Sequence, residues 1–226
     1  MDIRFFKKFI QGDIKMKIEL VKSLEIPEIK VIKFSRFVDH RGYFTESYSL
    51  RDFSPIKNEI GDWKVCQMNE SFSKQNTIRG LHFQWNPNMG KLVRTVKGHM
   101  IDIILDIRLN SPTFGKIIMY NMPSKLEDDF NEWIWIPPGF AHGNVFTEDT
   151  IIQYLCSGEY SQGCEAGISP FSLDIDWSLC ELPLQYVFSL VHHNLDLKIT
   201  DKDKNGFSLE QWKLNDNSKN FIYGNL

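Results

Sequence analysis

Residues 99–107 read HMIDIILDI, and this is the stretch that most clearly indicates how the chain folds. Its side chains alternate with the two-residue period of a β-strand. One face carries Ile101, Ile103, Leu105 and Ile107, and the other carries Met100, Asp102, Ile104 and Asp106. Because a carboxylate on a strand face inside a barrel is costly unless it is paired, we expect Asp102 and Asp106 to point either to solvent or into a polar cavity.

Short runs of the same kind recur about every 8 to 12 residues along the chain, separated by turn residues. They occupy residues 17–21, 29–34, 43–47, 64–69, 91–96, 116–121, 133–136 and 151–156. Helices are favoured only at residues 50–56, 124–130 and 206–214. This pattern predicts an all-β fold, a single antiparallel jelly-roll barrel with a few short helices.

A second methionine, Met16, separates the charged start of the chain from the first predicted strand. We therefore expect residues 1–16 to be an extension outside the fold and residues 17–205 to form the barrel domain. Residues 206–226 are expected to be a C-terminal extension that packs on the barrel or trails from it. Its last part, residues 215–226, is polar and is expected to be loosely ordered.

The 226-residue chain has a net charge of −3, with 42% hydrophobic and 24% charged residues. These values are ordinary for a soluble globular protein and give no reason to expect nucleic acid or an acidic membrane as a partner. No apolar run approaches the roughly 20 residues of a membrane span, and the N-terminal residues lack the apolar core of a secretory signal. The four cysteines form no CxxC pair and are expected to be reduced core residues. We therefore expect a cytoplasmic protein.

Two groups of motifs carry candidate chemistry. The first group comprises NESFS at 69–73, RGLHFQ at 79–84 and GKLVR at 90–94, and the second is WIPPGFAHG at 135–143. The second has the Pro-x-Gly-x-x-His form that is typical of cupins, with His142 as its histidine. Segments of this type often line the mouth of a jelly-roll barrel, so the first question is whether they bind a metal.

A metal-binding cupin takes a His-x-His pair and a carboxylate from its first motif. Here His82 is followed by Phe83 and Gln84, and residues 88–91, where the carboxylate is expected, contain none. His82 and His142 alone fall short of the three protein ligands that a catalytic metal normally keeps. The motifs therefore predict a cupin-like cavity that uses no metal.

In this order, the motifs resemble those of the dTDP-4-dehydrorhamnose 3,5-epimerase family, which are metal-free, cupin-like enzymes of deoxysugar biosynthesis. Further matching stretches lie at residues 37–47, 106–115 and 200–203, so the resemblance covers about residues 17–205. It implies a double-stranded β-helix of the cupin type and an isomerase without a cofactor. The implied reaction inverts C3 and C5 of a nucleotide-linked 4-keto-6-deoxy sugar.

Epimerisation beside a ketone needs a base that removes an α-proton, a group that holds the enolate oxygen, and an acid on the opposite face. The resemblance assigns His82 as the base and Asp203 as the carboxylate that orients it. Tyr154 matches the proton-donating tyrosine of the family. Lys91 is expected to lie near the C4 oxygen and to stabilise the enolate as a localised positive charge.

The resemblance also assigns substrate-binding side chains. Arg41 and Arg79 match arginines that grip the pyrophosphate, a task suited to the planar guanidinium group. The other matching positions around the sugar and the nucleotide are Glu46, Gln67, Asn69, Tyr160 and Glu165. For His142 two roles stay open, because it either acts on the substrate or pairs with Asp102 at the floor of the cavity.

A homodimer is the implied assembly. In the family, a segment matching residues 39–47 completes the pocket of the neighbouring subunit, which places Arg41 in the partner's site. A strand ahead of the barrel's own motifs is also suited to cover the sheet edge of a second copy. The sequence therefore predicts a strand-exchanged homodimer whose ligand is a nucleotide sugar.

Two positions depart from the family pattern. Glu159 stands where an aromatic residue often precedes Tyr160, and Gln162 replaces a usual proline. These changes leave open an epimerase of one centre, or one that acts on a GDP- or CDP-linked sugar, including a heptose. A non-catalytic sugar-nucleotide-binding protein and a metal-dependent cupin oxygenase are alternatives from other classes. Retention of the full set of acid and base residues disfavours the first, and the missing ligands disfavour the second.

Overall fold

Two antiparallel sheets pack face to face in the computed structural model, which describes residues 18–61 and 63–226. In chain order the strands are β1 (Ile18–Ser23), β2 (Lys30–Ser35), β3 (Phe37–Asp39), β4 (Gly42–Phe44), β5 (Gln67–Ser73), β6 (Thr77–Gln84), β7 (Lys91–Lys97), β8 (His99–Asp106), β9 (Ile117–Pro123), β10 (Phe130–Ile136), β11 (Phe140–Phe146), β12 (Thr150–Cys156) and β13 (Glu165–Gly167). The larger sheet has the order β1-β2-β10-β7-β12-β5, the smaller one has the order β13-β6-β11-β8-β9, and β3 pairs with β4 in a separate hairpin. The predicted all-β jelly roll is confirmed, whereas the predicted extension at residues 1–16 lies outside the described residues.

The helices are short and lie outside the two sheets. They are α1 (Leu50–Phe53), α2 (Lys57–Ile60), α3 (Leu182–His192), α4 (Asp201–Lys204) and α5 (Leu209–Leu214), with 3-10 turns at Ser54–Ile56 and Asp216–Asn220. In the part of the chain that the structure describes, no helix combines the length and the apolar character that crossing a membrane requires.

Three apolar clusters stabilise this arrangement, one between the sheets and one on each outer face. The cluster between the sheets includes Val31, Val93, Ile104, Ile118, Ile134 and Phe146. On the outer face of the smaller sheet, α3 and α5 contribute Phe188, Val191, Leu209 and Trp212. On the outer face of the larger sheet, residues 48–65 cover Ile32, Trp133, Trp135 and Leu155. Burial of each such side chain contributes about 1.5–3 kcal/mol.

The predicted alternation of β8 is confirmed. Ile101, Ile103 and Leu105 pack in the outer cluster of the smaller sheet, while Met100 and Ile104 pack between the sheets. Strand β8 is therefore apolar on both sides, as a strand in the middle of a three-layer structure must be.

The two aspartates of β8 have different surroundings, and both are fully buried. Asp102 lies beside the polar cavity described below. The expectation for Asp106 was wrong, because it faces neither solvent nor that cavity. Its oxygens accept hydrogen bonds from Arg108 Nε and Nη2 at 2.9 and 2.8 Å and from the Ser111 and Thr113 hydroxyls at 2.6 Å each. Asp106 is thus a fully paired structural carboxylate.

Two of the three predicted helical segments are helical, at residues 50–56 and 206–214. The prediction for residues 124–130 was wrong, because this segment forms turns that lead into β10. The segment keeps one turn bond, from the Asp128 N–H to the Lys125 oxygen at 3.4 Å, and its carbonyls also bond to Arg36. Arg36 donates from Nη1 to the Lys125 oxygen and from its main-chain N–H to the Asp129 oxygen. A buried arginine thus satisfies carbonyls that a helix would bond internally.

The C-terminal part of the chain is better ordered than its polar composition indicates. Helix α3 was not predicted, although its apolar residues Phe188 and Val191 pack on the smaller sheet. Trp212 and Phe221 are fully buried in the same cluster, so residues 206–226 pack on the barrel. This packing brings residues 197–203 next to β6, where Lys198 and Thr77 form a parallel bridge.

Candidate active site

A cavity of about 770 Å³ lies at the edge of the two sheets, and strands of both sheets line it together with residues 197–203. We call it the main cavity. A second cavity of about 240 Å³, the side cavity, shares His82, Lys91 and Tyr154 with it. The shared residues come from β6, β7 and β12, so the two cavities adjoin along these strands. The four residues predicted to carry the chemistry, His82, Lys91, Tyr154 and Asp203, all line the main cavity.

His82 and Asp203 form a hydrogen-bonded pair, with 2.7 Å between His82 Nε2 and Asp203 Oδ1. Asp203 lies in α4, which Thr200 caps by accepting the Asp203 main-chain N–H, and Gly80 N–H donates to the second carboxylate oxygen at 3.1 Å. Asp203 is buried and the His82 side chain is 38% exposed, so the imidazole can reach a ligand. Burial raises the pKa of Asp203, but the hydrogen bond and charge of His82 outweigh it and hold that pKa below its ordinary value.

Lys91 and Tyr154 lie on the larger sheet and face the same space. Burial lowers the pKa of Lys91 below the ordinary 10.5, although the neighbouring Cys156 and Asp102 oppose the shift. Burial raises the pKa of Tyr154 above 10.0, so its phenol keeps its proton at neutral pH. The cavity therefore presents a neutral hydroxyl donor and a lysine side chain on one sheet and an oriented imidazole on the other.

His142 occupies the floor of the main cavity, where it pairs with Asp102. This pairing is one of the two roles that the sequence left open for it. His142 Nε2 lies 2.7 Å from Asp102 Oδ1, and Asn144 Nδ2 donates to the same oxygen at 2.5 Å. Burial lowers the pKa of His142, against the opposing effect of Asp102. His142 on β11 also faces His82 on β6 across the sheet register. His142 therefore both pairs with Asp102 and lines the cavity.

The side cavity collects four of the predicted binding residues, Gln67, Asn69, Tyr160 and Glu165. Gln67 Nε2 donates to Asn69 Oδ1 at 2.9 Å, and Gln67 Oε1 accepts the Tyr160 N–H at 2.9 Å. The Tyr160 hydroxyl donates to Glu165 at 3.1 Å. These bonds hold an aromatic ring that is 56% exposed at the cavity edge.

Lys202 is a site residue that the sequence analysis missed. It lines the main cavity and donates to Glu165 at 3.0 Å, which helps to hold the pKa of that carboxyl below its ordinary value against the effect of burial. Its position in the matching stretch 200–203, directly before Asp203, was a usable signal. Asn144 and Lys198 also line the cavity without having been predicted.

The predicted arginines are in different places. Arg79 lines the main cavity and is held by Ser73 Oγ at 2.9 Å and by the Phe72 carbonyl at 3.1 Å. Arg41 and Glu46 lie at the β3–β4 hairpin and just after it, and neither lines either cavity in the described chain. Arg41 is strongly exposed and pairs with Asp39 of the same hairpin.

Each of the two cavity histidines is paired with a carboxylate. Nε2 of both His82 and His142 lies at 2.7 Å from a carboxylate. Within residues 18–61 and 63–226, no three His, Cys, Asp or Glu side chains are grouped as a metal site. The donor set fits two hydrogen-bonded His–Asp pairs.

Comparison with known proteins agrees with this geometry. The family model described as dTDP-4-dehydrorhamnose 3,5-epimerase matches residues 23–211. A dTDP-4-dehydrorhamnose 3,5-epimerase of Salmonella typhimurium is 38% identical over 170 residues, which are 73% of this chain and 88% of that protein. One of Methanothermobacter thermautotrophicus is 32% identical over 208 residues, covering 90% and 93% of the two chains.

Solved structures show the same fold. The dTDP-6-deoxy-D-glucose-3,5-epimerase of Legionella pneumophila, in complex with dTDP-4-keto-L-rhamnose, superposes with a TM-score of 0.72 at 28% identity. The alignment covers 90% of this chain and 97% of that one. The dTDP-4-dehydrorhamnose 3,5-epimerase of Sulfolobus tokodaii gives a TM-score of 0.67 at 34% identity, with 85% and 96% of the two chains covered.

Proposed function

The chain belongs to the dTDP-4-dehydrorhamnose 3,5-epimerase family, and we propose that it inverts C3 and C5 of a dTDP-linked 4-keto-6-deoxy sugar with His82 as base and Tyr154 as acid. The observation that carries this proposal is the convergence of His82, Asp203, Lys91 and Tyr154 on one cavity. A side chain is present in this cavity for each of the roles that epimerisation beside a ketone requires.

The reaction begins when the imidazole of His82 removes the proton from the carbon next to the C4 ketone. The electrons of the broken C–H bond form a carbon–carbon double bond, and the C4 oxygen becomes an enolate. Lys91 stabilises this negative charge, and the carboxylate of Asp203 stabilises the imidazolium. The hydrogen bond from Gly80 holds the carboxylate, and the carboxylate in turn orients the ring.

Inversion is completed when Tyr154 donates its proton to the opposite face of the same carbon. Electrons return from the enolate, the ketone re-forms, and the configuration is reversed. The tyrosinate then recovers a proton from solvent and the imidazolium releases one, so no net proton is consumed. The same two residues act on C3 and C5 because both carbons flank the single ketone.

The nucleotide is assigned to the side cavity. Tyr160 offers a ring face for the base, and Gln67, Asn69 and Glu165 offer hydrogen-bonding groups around it. Arg79 is available to the pyrophosphate. The ligand of the Legionella relative, dTDP-4-keto-L-rhamnose, supports dTDP as the nucleotide here.

We propose further that the enzyme is a homodimer in which the β3–β4 hairpin enters the partner's site. Val38, Tyr43 and Phe44 are exposed apolar residues of this hairpin, and β5 is an edge strand that presents Met68 and Phe72 beside the cavities. Docking the hairpin on that edge covers both apolar surfaces and brings Arg41 toward the pyrophosphate of the second copy.

A substrate panel tests the proposed function. The purified enzyme is incubated with dTDP-, GDP- and CDP-linked 4-keto-6-deoxyglucose, and proton coupling constants of the product report the configuration at C3 and C5. We expect inversion of both centres and a clear preference for the dTDP sugar. Inversion of one centre only, or a preference for GDP or CDP, contradicts the proposed substrate and supports the corresponding alternative.

A further inference from the structure

Gln84 is a buried residue at the end of β6 that the proposed chemistry does not use. It lies two positions after His82, on the same side of the strand, and it is 4% exposed. Its Nε2 donates to the carbonyls of Pro87 and Glu159 at 3.0 Å each, and its Oε1 accepts the Ser161 N–H at 2.9 Å. One amide therefore makes three hydrogen bonds, all of them to main-chain groups.

These bonds connect two loops that border the side cavity. Pro87 belongs to the loop at residues 85–90, while Glu159 and Ser161 flank Tyr160 in the loop at residues 157–164. The base of the two loops is held elsewhere, where Gly90 N–H donates to Ser157 Oγ at 2.7 Å and Ser157 N–H donates to the Gly90 carbonyl at 3.0 Å. Gln84 holds the tip of the loop at residues 157–164, because its bonds to Glu159 and Ser161 lie on either side of Tyr160.

A buried amide is the side chain best suited to this place. It must donate to two carbonyls and accept from one N–H, and glutamine offers both functions on one planar group. An apolar replacement leaves the Pro87 and Glu159 carbonyls and the Ser161 N–H without this partner, so water takes the place of the amide and the two loops are no longer joined at this point. Because the Gln84 bonds hold the main chain on either side of Tyr160, their loss lets the ring move even though the Gln67 and Glu165 bonds remain.

We propose that Gln84 is a positioning residue for nucleotide recognition: it fixes the loop at residues 157–164 so that the Tyr160 ring is held over the side cavity before the nucleotide binds. This inference rests on the proposed function, in which Tyr160 contacts the nucleotide. Gln84 acts through Tyr160 and does not touch the reacting carbons, so its loss weakens binding and leaves the chemical step intact.

The test compares dTDP binding by calorimetry with turnover at saturating substrate. We expect Gln84→Met to weaken dTDP binding about tenfold, with kcat within about twofold of wild type. Tyr160→Ala is expected to weaken binding at least as much, and the double variant should bind no more weakly than Tyr160→Ala alone. Additive effects of the two changes, or a fall in kcat with unchanged dTDP affinity, overturn the proposal.

Gln185→Met is the matched control. Gln185 makes the same kind of bonds, from Nε2 to the carbonyls of Trp177 and Cys180 at 3.2 and 2.9 Å, but it does so at α3 and away from the cavities. It should lower stability without changing dTDP affinity. If Gln185→Met weakens dTDP binding as much as Gln84→Met does, the effect is general destabilisation and the proposal is wrong.

A second variant covers the case in which Gln84→Met fails to fold. Gln84→Glu keeps the acceptor for Ser161 but turns a carboxylate toward two carbonyls, so we expect weak dTDP binding at neutral pH that recovers as the carboxyl group is protonated. If dTDP binding does not recover at acidic pH, Gln84 does not hold the loop at residues 157–164.

Hydrogen exchange at the Ser161 amide tests the role of Gln84 without any nucleotide. We expect this exchange to be slow in wild type and faster in either variant. Wild-type enzyme that fails to epimerise the sugar contradicts the proposed function, whereas unchanged Ser161 exchange contradicts only the role of Gln84.

Discussion

His82 and Asp203 are 121 positions apart in the chain, and their side chains meet at 2.7 Å across the wall of the main cavity. Asp203 is buried and receives a second hydrogen bond from Gly80, whereas His82 remains partly exposed. The pair is therefore fixed at its carboxylate end and accessible at its imidazole end. This is the arrangement that a general base requires.

The first prediction concerns the charge of Asp203. In Asp203→Asn the shape is kept, but the imidazolium loses its stabilising carboxylate, and the amide can present a donor to His82 instead of an acceptor. We expect kcat to fall about 10²-fold or more, with dTDP affinity unchanged. Steady-state kinetics and calorimetry measure the two quantities. A variant with wild-type kcat contradicts the role given to Asp203.

Much of this site could be predicted from the sequence because its residues lie in short, closely spaced motifs. His82 and Arg79 share one strand, and the β-strand period of residues 99–107 correctly separated Asp102 from the outer core. The family resemblance predicted that Asp203 pairs with His82. No local sequence pattern indicates this pairing, because the two residues are far apart in the chain. The partners of Asp106 were missed because they come from the turn after β8, whose conformation depends on tertiary contacts.

Other features could not be predicted because they depend on long-range contacts. Residues 124–130 have a helical composition, but buried Arg36 takes their carbonyls. Residues 215–226 are polar on average, yet Phe221 packs in a core cluster, and its carbonyl and the Tyr223 N–H bond to the main chain of Leu109. The hydrogen bonds of Gln84 join two loops whose approach exists only in the folded barrel. In each case long-range contacts outweigh the local preference.

Tyr154 should affect inversion more than proton exchange. In Tyr154→Phe the base His82 still removes a proton and returns one from solvent on the same face, so exchange continues without inversion. We expect deuterium to enter at one carbon at a measurable rate while inverted product falls by about 10²-fold or more. Proton NMR in deuterated water follows both events. Equal loss of exchange and inversion would instead identify Tyr154 as an enolate-binding or structural residue.

The pH profile should report Lys91. Burial lowers the pKa of Lys91 below 10.5 and raises that of Tyr154 above 10.0, so burial favours loss of the lysine proton and retention of the tyrosine proton as the pH rises. The cation stabilises the enolate, so kcat/KM should fall as the pH passes upward through the lowered pKa of Lys91, at a pH below 10.5. The Lys91→Arg enzyme keeps its charge at high pH. Its alkaline decline should move to higher pH, and an unchanged decline would refute the assignment.

Subunit mixing tests the exchanged hairpin. Arg41→Ala and His82→Ala enzymes, each inactive, are unfolded and refolded together. If Arg41 serves the partner's site, a heterodimer has one pocket that lacks both groups and one that is intact. Random mixing gives about half heterodimers, so activity should rise to about a quarter of wild type. A mixture that stays inactive despite proven subunit exchange shows that Arg41 acts within its own chain.

Counting deuterium in the product shows whether His82 removes the protons next to the ketone. Wild-type enzyme and His82→Asn are each incubated with the dTDP-linked 4-keto-6-deoxy sugar in deuterated water, and proton NMR follows the C3 and C5 signals. We expect the wild-type enzyme to invert both carbons, with loss of both proton signals. His82→Asn should exchange both about 10²–10⁴-fold more slowly while still binding dTDP. Inversion by wild type that retains the original protons, or exchange by His82→Asn at the wild-type rate, would contradict the role of His82 as the base.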